Sequence, residues 1–168
     1  VTSGAVERYL SDKAWEEGWV APLVQGAPRG QSVGIVGAGP AGLSAAERLF
    51  ELGYDVTVYD RYDRPGGLLV YGIPGFKLEK DVVQQRTDRL ADGGIVFRLN
   101  FEVGRDATLE DLRREHDAVL LATGVYAAKD LPVPGAGSAG VVAALDYLTA
   151  SNRKGYGGYI LDLENLPP

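Results

Sequence analysis

VGIVGAGPAGL, residues 33–43, sets a run of apolar strand formers directly against glycines at Gly37, Gly39 and Gly42, the spacing G-x-G-x-x-G. Each glycine in such a turn has its own physical task. The first allows a tight bend, the second lets a ligand's pyrophosphate approach the backbone, and the third lets the following helix pack closely on the strand. With Ala38, Pro40 and Ala41 between them, the six residues predict a strand that ends at the N-terminus of a helix. Free backbone N–H groups and the helix dipole there suit a phosphate. Glycine-rich turns are common, so the flanking sequence has to decide.

Upstream, residues 32–36 predict a short apolar strand, and downstream residues 40–52 predict a helix stopped by Gly53, where a left-handed backbone is often needed. Residues 55–59 alternate β-branched and aromatic side chains and predict a second strand. Asp60 closes that strand, about 20 residues beyond the turn, where a carboxylate accepts hydrogen bonds from the hydroxyls of an adenosine ribose. A carboxylate there also repels a 2′-phosphate, so this turn is expected to refuse NADP.

Residues 60–77 read as one long loop holding Pro65, Gly66, Gly67, Gly72, Pro74 and Gly75, and a loop of that length in a compact domain is usually functional. A helix is expected over 78–91, with Val82, Val83, Arg86 and Leu90 along one side and Gly93 and Gly94 as its stop, then a strand over 95–99. Thr108 opens a short helix, with Asp111 in the place of a capping-box acid. Residues 118–122 form a fourth apolar strand running into Thr123 and Gly124. Strands and helices alternating in this way predict an α/β fold: a Rossmann-like parallel sheet with helices on both faces. An N-terminal helix over 2–20 is expected from Val6, Tyr9, Leu10 and Trp15, capped at Thr2 or Ser3, and a Pro/Gly-rich linker follows over 22–31. The implied organisation is a helix and linker (1–31), a dinucleotide-binding domain (32–154) and a tail of unclear origin (155–168).

Composition excludes several kinds of chemistry. The 168 residues carry 17 basic and 23 acidic side chains, a net charge of −6, which leaves no basic footprint for nucleic acid or an anionic membrane. No apolar run approaches the roughly 20 residues of a membrane span, so a cytoplasmic protein is expected. There is no cysteine, hence no disulfide, thiol chemistry or cysteine-held cluster from this chain, and His116 is the only histidine. No metal site is expected. A chain without methionine that starts at Val1 reads as a piece of a longer polypeptide.

The turn alone does not separate NAD from FAD. Gly66 and Gly67 offer a second close backbone approach, suited to a cofactor that continues past the pyrophosphate. Ala122, Thr123 and Gly124 place a third glycine turn at the carboxyl end of a strand, where parallel sheets bind ligands. The joint occurrence favours FAD. Two alternatives stay open: a single-Rossmann NAD-dependent dehydrogenase, and a nucleotide-binding or interaction module without catalysis.

Three stretches carry a resemblance: VGIVGAGPAGL (33–43), YDRYDRPGGLLVYGIPGFKLEK (59–80) and ATGVYAAK (122–129), supported by VERYLSDKAWEEGW (6–19) and AALDYLTASN (143–152). Together they closely resemble the small (beta) subunits of NADPH-dependent glutamate synthase, and the flavin module is similar to that of dihydropyrimidine dehydrogenase. The resemblance implies the FAD-binding half of a flavoprotein with two dinucleotide-binding domains. In it, electrons pass from NADPH through FAD to iron–sulfur clusters, and a large (alpha) subunit makes glutamate from glutamine and 2-oxoglutarate. Carried over by motif, Gly37 to Gly42 hold the pyrophosphate, Asp60 with Arg61 the ribose side, and Gly66, Gly67 and Leu68 the ribityl chain. Lys77 is placed close to the phosphates, Val103 beside the adenine, and Ala122, Thr123 and Gly124 at the cofactor. The cluster ligands and the second, NADPH-binding turn of the family lie outside these residues. The chain alone is therefore expected to hold at best part of FAD, without NADPH turnover.

Trp15 and Trp19 are expected to pack on a neighbouring domain rather than stack on a cofactor, His116 to sit in the dipole of a helix end, and Tyr71 to cover apolar surface rather than flank the flavin. No protein acid or base is nominated, because hydride transfer belongs to the cofactor.

Overall fold

The computed structural model describes residues 2–129 and 132–156. Four parallel strands, β1 (Ser32–Val36), β2 (Asp55–Tyr59), β3 (Val96–Arg98) and β4 (Ala118–Leu121), form a sheet in the order β3-β2-β1-β4. The chain steps outward from β1 to β2 to β3, then returns to the other side of β1. The strand order therefore reverses at β1, and the crevice at the carboxyl ends of β1 and β4 is where a doubly wound sheet receives its ligand.

Alternation along the strands sorts the core onto two faces. Val33 and Ile35 of β1 with Val56 and Val58 of β2 pack against Leu43, Ala46 and Phe50 of α2 (Pro40–Glu51), and against Leu90 near the end of the helix Lys80–Gly93. On the opposite face Val36 and Tyr59 cluster with Leu112 of the helix Leu109–Glu115. Helices thus cover both faces, as expected. The capping box at Thr108 is present in full: Asp111 N–H donates to Thr108 Oγ1 at 3.1 Å, and Thr108 N–H donates to the Asp111 carboxylate at 2.9 Å.

Several boundaries differ from the sequence reading. The N-terminal helix α1 (Ser3–Glu16) is capped by Thr2 as expected, but stops before residue 20 because the N–H groups of Gly18 and Trp19 fold back onto the Trp15 and Ala14 carbonyls. It buries none of its own residues. The loop after Asp60 is not continuous: Leu68–Tyr71 winds one helical turn, α3. The next helix, α4 (Lys80–Gly93), begins later than expected because the N–H groups of Lys77 and Leu78 first close a turn on the Pro74 carbonyl. Its buried stripe is Val83, Thr87 and Leu90, while Val82 is 44% exposed. Arg86 instead joins Arg89 in pairing with Glu47 of α2, the Arg89 contact at 2.6 Å. Strand β3 is three residues long, shorter than expected, because it pairs only with β2.

The helix Leu109–Glu115 is α5, and a last helix, α6 (Ala144–Gly155), had no counterpart in the sequence reading. It packs on α3, and Tyr156 just beyond its end joins a cluster of Val70 and Tyr71 of α3 with Val83 of α4. The expected boundary at 154/155 falls at the end of this helix, and residues 157–168 of the expected tail lie outside the described residues.

Candidate dinucleotide-binding site

The turn after β1 is built as its glycines require. Gly37 sits at φ +113, and a Cβ there would stand 2.3 Å from the Ala122 carbonyl oxygen. Its N–H donates to the Tyr59 carbonyl at 2.8 Å, which ties the turn to the end of β2. A Cβ on Gly42 would meet the Gly37 carbonyl oxygen at 1.9 Å, so α2 approaches the strand closer than any side chain permits. At Gly39 the reverse holds: a Cβ would meet nothing within 4 Å. The middle glycine faces open space at the N-terminus of α2, of which it is the N-cap and Pro40 the first residue.

Asp60 stands beside this turn with both oxygens engaged. Oδ2 accepts the N–H of Ala38 at 2.6 Å and Oδ1 accepts the N–H of Tyr62 at 2.9 Å. Each carboxylate oxygen offers about two acceptor positions, so capacity remains for a ligand hydroxyl. The Ala38 N–H is spent and Pro40 has none. No backbone carbonyl of the described residues accepts the N–H groups of Gly39, Ala41 and Gly42 at the helix start.

A cleft of about 330 Å³ opens at the carboxyl ends of the strands. Gly37, Asp60, Arg61, Val103 and Thr123 line it, together with Phe101, Leu109, Leu121 and Tyr126, which the sequence reading did not select. Val103 belongs to the apolar cluster of Tyr59 and Leu112 and makes an isolated bridge to Ala107. Arg61 is exposed, and its guanidinium lies 4.3 Å from the ring centroid of Tyr126 and 5.1 Å from that of Tyr62. The phenol of Tyr126 is held above its ordinary pKa, first by burial and then by the neighbouring Tyr62 and Asp60. Ala122 donates its N–H to Val36 at 2.7 Å, continuing the β4 pairing, and Gly124 takes φ +71.

The second glycine pair docks on the first. Gly66 donates its N–H to the Ala38 carbonyl at 2.7 Å, and a Cβ on Gly67 would stand 2.8 Å from Gly39 Cα. Two backbone segments far apart in sequence therefore touch at Gly39, whose Cβ position in the turn is open. Leu68 begins α3 just beyond and is 41% exposed.

Lys77 does not join this group. Its side chain is exposed and lies outside the lining of the cleft beside Asp60, while the lysine that enters the structure is Lys80, whose Nζ donates to the carbonyls of Leu69, at 2.9 Å, and Ile73. Tyr71 is 1% exposed, stacks on Tyr62 with centroids 4.7 Å apart and donates its hydroxyl to Asp63. It is a core residue of α3. His116 does more than cap α5: its ring bridges the Tyr59 hydroxyl at 2.8 Å and Ser32 Oγ at 3.2 Å and lies against Gly34, under the sheet. Trp15 lines a separate cleft of about 740 Å³ against α4, and Trp19 is 66% exposed.

Residues 31–155 match the family model described as pyridine nucleotide-disulphide oxidoreductase. The chain belongs to that family. Having no cysteine, it supplies no redox disulfide of its own. Among curated relatives, the glutamate synthase [NADPH] small chain of Azospirillum brasilense is 60% identical over 165 residues, which is 98% of this chain and 34% of the relative. A putative glutamate synthase [NADPH] small chain from Cereibacter sphaeroides is also 60% identical, over 96% of this chain and 39% of the relative. The chain thus spans little more than a third of the length of these relatives. Among solved structures, FprA of Mycobacterium tuberculosis in complex with NADPH superimposes with a TM-score of 0.65 at 26% identity, covering 73% of this chain and 29% of that one.

Proposed function

We propose that this chain holds FAD as the flavin-binding part of an NADPH-dependent glutamate synthase small subunit. The observation that carries the reading is the contact of the two glycine turns, Gly67 on Gly39, beside the cleft that Asp60 borders. A dinucleotide laid with its adenosine in that cleft reaches the N–H groups of Gly39, Ala41 and Gly42 with its pyrophosphate. Past them it meets Gly66, Gly67 and Leu68. The open space at Gly39 is the cradle that a Cβ would fill, so the residues present fit the group.

In this reading Asp60 accepts from the ribose, Arg61 and Val103 border the adenine side, and Thr123 and Gly124 close the β4 rim. Ala38, Pro40 and Ala122 shape the turn without contacting phosphate through an N–H. Lys77, exposed on the loop before α4, reaches a phosphate only by extending its side chain. Bound FAD would supply the exchange between two-electron donation by NADPH and one-electron delivery to iron–sulfur clusters. The chain's own residues bind, orient and exclude water. In the whole protein the partner is the large subunit that forms glutamate from glutamine and 2-oxoglutarate, in the cytoplasm. Among the described residues no helix is long and apolar enough to cross a membrane.

Mass spectrometry of ligand released from the purified chain, with FAD titration of whatever is ligand-free, tests the reading. FAD recovered, or bound on titration in preference to NAD, supports it. A preference for NAD would favour a dehydrogenase-type module, and binding of neither would overturn cofactor binding altogether.

A further inference from the structure

We infer that Asn152 and Lys80 are positioning residues for the flavin, acting through the single helical turn α3. This rests on the FAD reading above. The turn Leu68–Tyr71 is too short to be stable alone, and at its C-terminal end the carbonyls lack helical partners. Two side chains from other elements take them. Asn152 of α6 is 8% exposed and donates through Nδ2 to the Tyr71 carbonyl at 3.0 Å, and also to Leu148 in its own helix. Lys80, the first residue of α4, donates through Nζ to the carbonyls of Leu69 and Ile73.

The other end of α3 is Gly67, its N-cap, seated against Gly39 Cα. The turn is thus a strut, clamped by the Asn152 carboxamide at Tyr71 and by the Lys80 ammonium at Leu69 and at Ile73 beyond it, and pressing with its N-cap on the middle glycine of the phosphate turn. Gly66 and Gly67 are both buried, so the strut cannot shift at its clamped end without moving the backbone that faces the ribityl side of the cofactor. The adenosine cleft has none of these residues in its lining. Losing the clamp is therefore felt by the part of FAD beyond the pyrophosphate and not by the ADP part. The Lys80 ammonium is suited to the task because it meets only backbone carbonyls there, although burial lowers its pKa.

The test compares FAD and ADP binding by calorimetry in the full 168-residue chain, wild type against Asn152→Leu, Lys80→Met and Lys80→Arg. Asn152→Leu and Lys80→Met are expected to weaken FAD by about tenfold, as for an unsatisfied buried carbonyl, with ADP affinity held within about twofold. The visible band of the remaining bound flavin should shift, and Lys80→Arg, which keeps the donors, should restore FAD affinity. FAD and ADP weakened alike, or FAD affinity unchanged in the two non-donor variants, would overturn the positioning role. Absence of FAD binding by the wild type would instead overturn the functional reading beneath it.

Discussion

The carboxylate of Asp60 reaches back across the ends of β1 and β2 to accept the Ala38 N–H at 2.6 Å. A strand-end acid is thereby bonded to the glycine turn beside it. It holds the first bend of G-x-G-x-x-G in place and removes one N–H from competition for phosphate. If the proposed FAD reading holds, ribose recognition and turn geometry are functions of one side chain, which changes what its substitution should do.

Asp60→Ala is expected to weaken FAD by roughly 1.5–3 kcal/mol, the scale of a lost charge-assisted hydrogen bond. FMN, which lacks the adenosine ribose, should lose less, though not nothing, because the N–H groups of Ala38 and Tyr62 lose their acceptor. Asp60→Asn keeps one acceptor and should fall between. Fluorescence titration with both flavins decides it; equal losses for the two would show that Asp60 acts on the turn alone.

The glycines separate folding from binding. Gly39 has extended backbone geometry, φ −76 and ψ −179, and open space where a Cβ would go. Gly39→Val should leave circular dichroism and thermal midpoint close to wild type while flavin binding disappears. Gly42→Ala drives a Cβ onto the Gly37 carbonyl and should cost about 1–3 kcal/mol of stability or more, as overpacked cores do. Retained flavin at full stoichiometry in Gly39→Val would remove the turn from the site.

The strands around the turn were legible because period-two patterning and glycine punctuation are local signals: β1 and β2 fall on the residues that predicted them. The first glycine turn and Asp60 were legible for the same reason. What escaped depends on contacts between distant segments. The α4 stripe rotated by about one residue because α2 offers Glu47 to Arg86 and Arg89, which turns that side outward. The sequence reading selected Lys77 and passed over Lys80, whose ammonium meets the carbonyls of Leu69 in α3 and Ile73 just beyond it, and α3 is too short to leave a periodic signal. Tyr126 carries no local pattern of its own, and its place in the cleft comes from the Arg61 guanidinium over its ring.

Alkaline stability should respond to Tyr71. Burial, reinforced by the hydrogen bond to Asp63, raises its pKa above the ordinary value of 10.0, and burial likewise raises that of Tyr59. A group whose folded pKa is raised contributes stability fully present below its unfolded pKa and lost as pH climbs toward the folded one. Thermal midpoints should therefore fall as pH rises above 10.0, and less steeply in Tyr71→Phe. Lys80, with its lowered pKa, acts in the opposite direction just below its ordinary value, so Lys80→Met should steepen the fall. A slope unchanged in Tyr71→Phe would mean that its phenol ionises in the fold as freely as in the open chain.

The last expectation concerns which nucleotides the cleft admits. Asp60 lies where an adenosine ribose would rest, and a 2′-phosphate there would set two negative groups within a few ångströms of each other. Two unit charges 4 Å apart repel by about 1 kcal/mol in bulk water and about 4 kcal/mol near a protein surface. Among the described residues Arg61 is the one cation lining the cleft, and it could offset this repulsion only by leaving the rings of Tyr126 and Tyr62, contacts worth roughly 0.5–1 kcal/mol each at an exposed site. Glu102 on the same rim adds a second carboxylate, so the negative groups outnumber that guanidinium and repulsion prevails. ADP should bind at least about tenfold more tightly than 2′,5′-ADP, equivalent to about 1.4 kcal/mol. Asp60→Asn removes the charge, retains a ribose acceptor and should narrow the ratio. Arg61→Ala should leave discrimination against the 2′-phosphate intact or increase it. Equal competition by the two nucleotides for bound FAD would place the 2′-hydroxyl away from Asp60 and the adenosine outside this cleft.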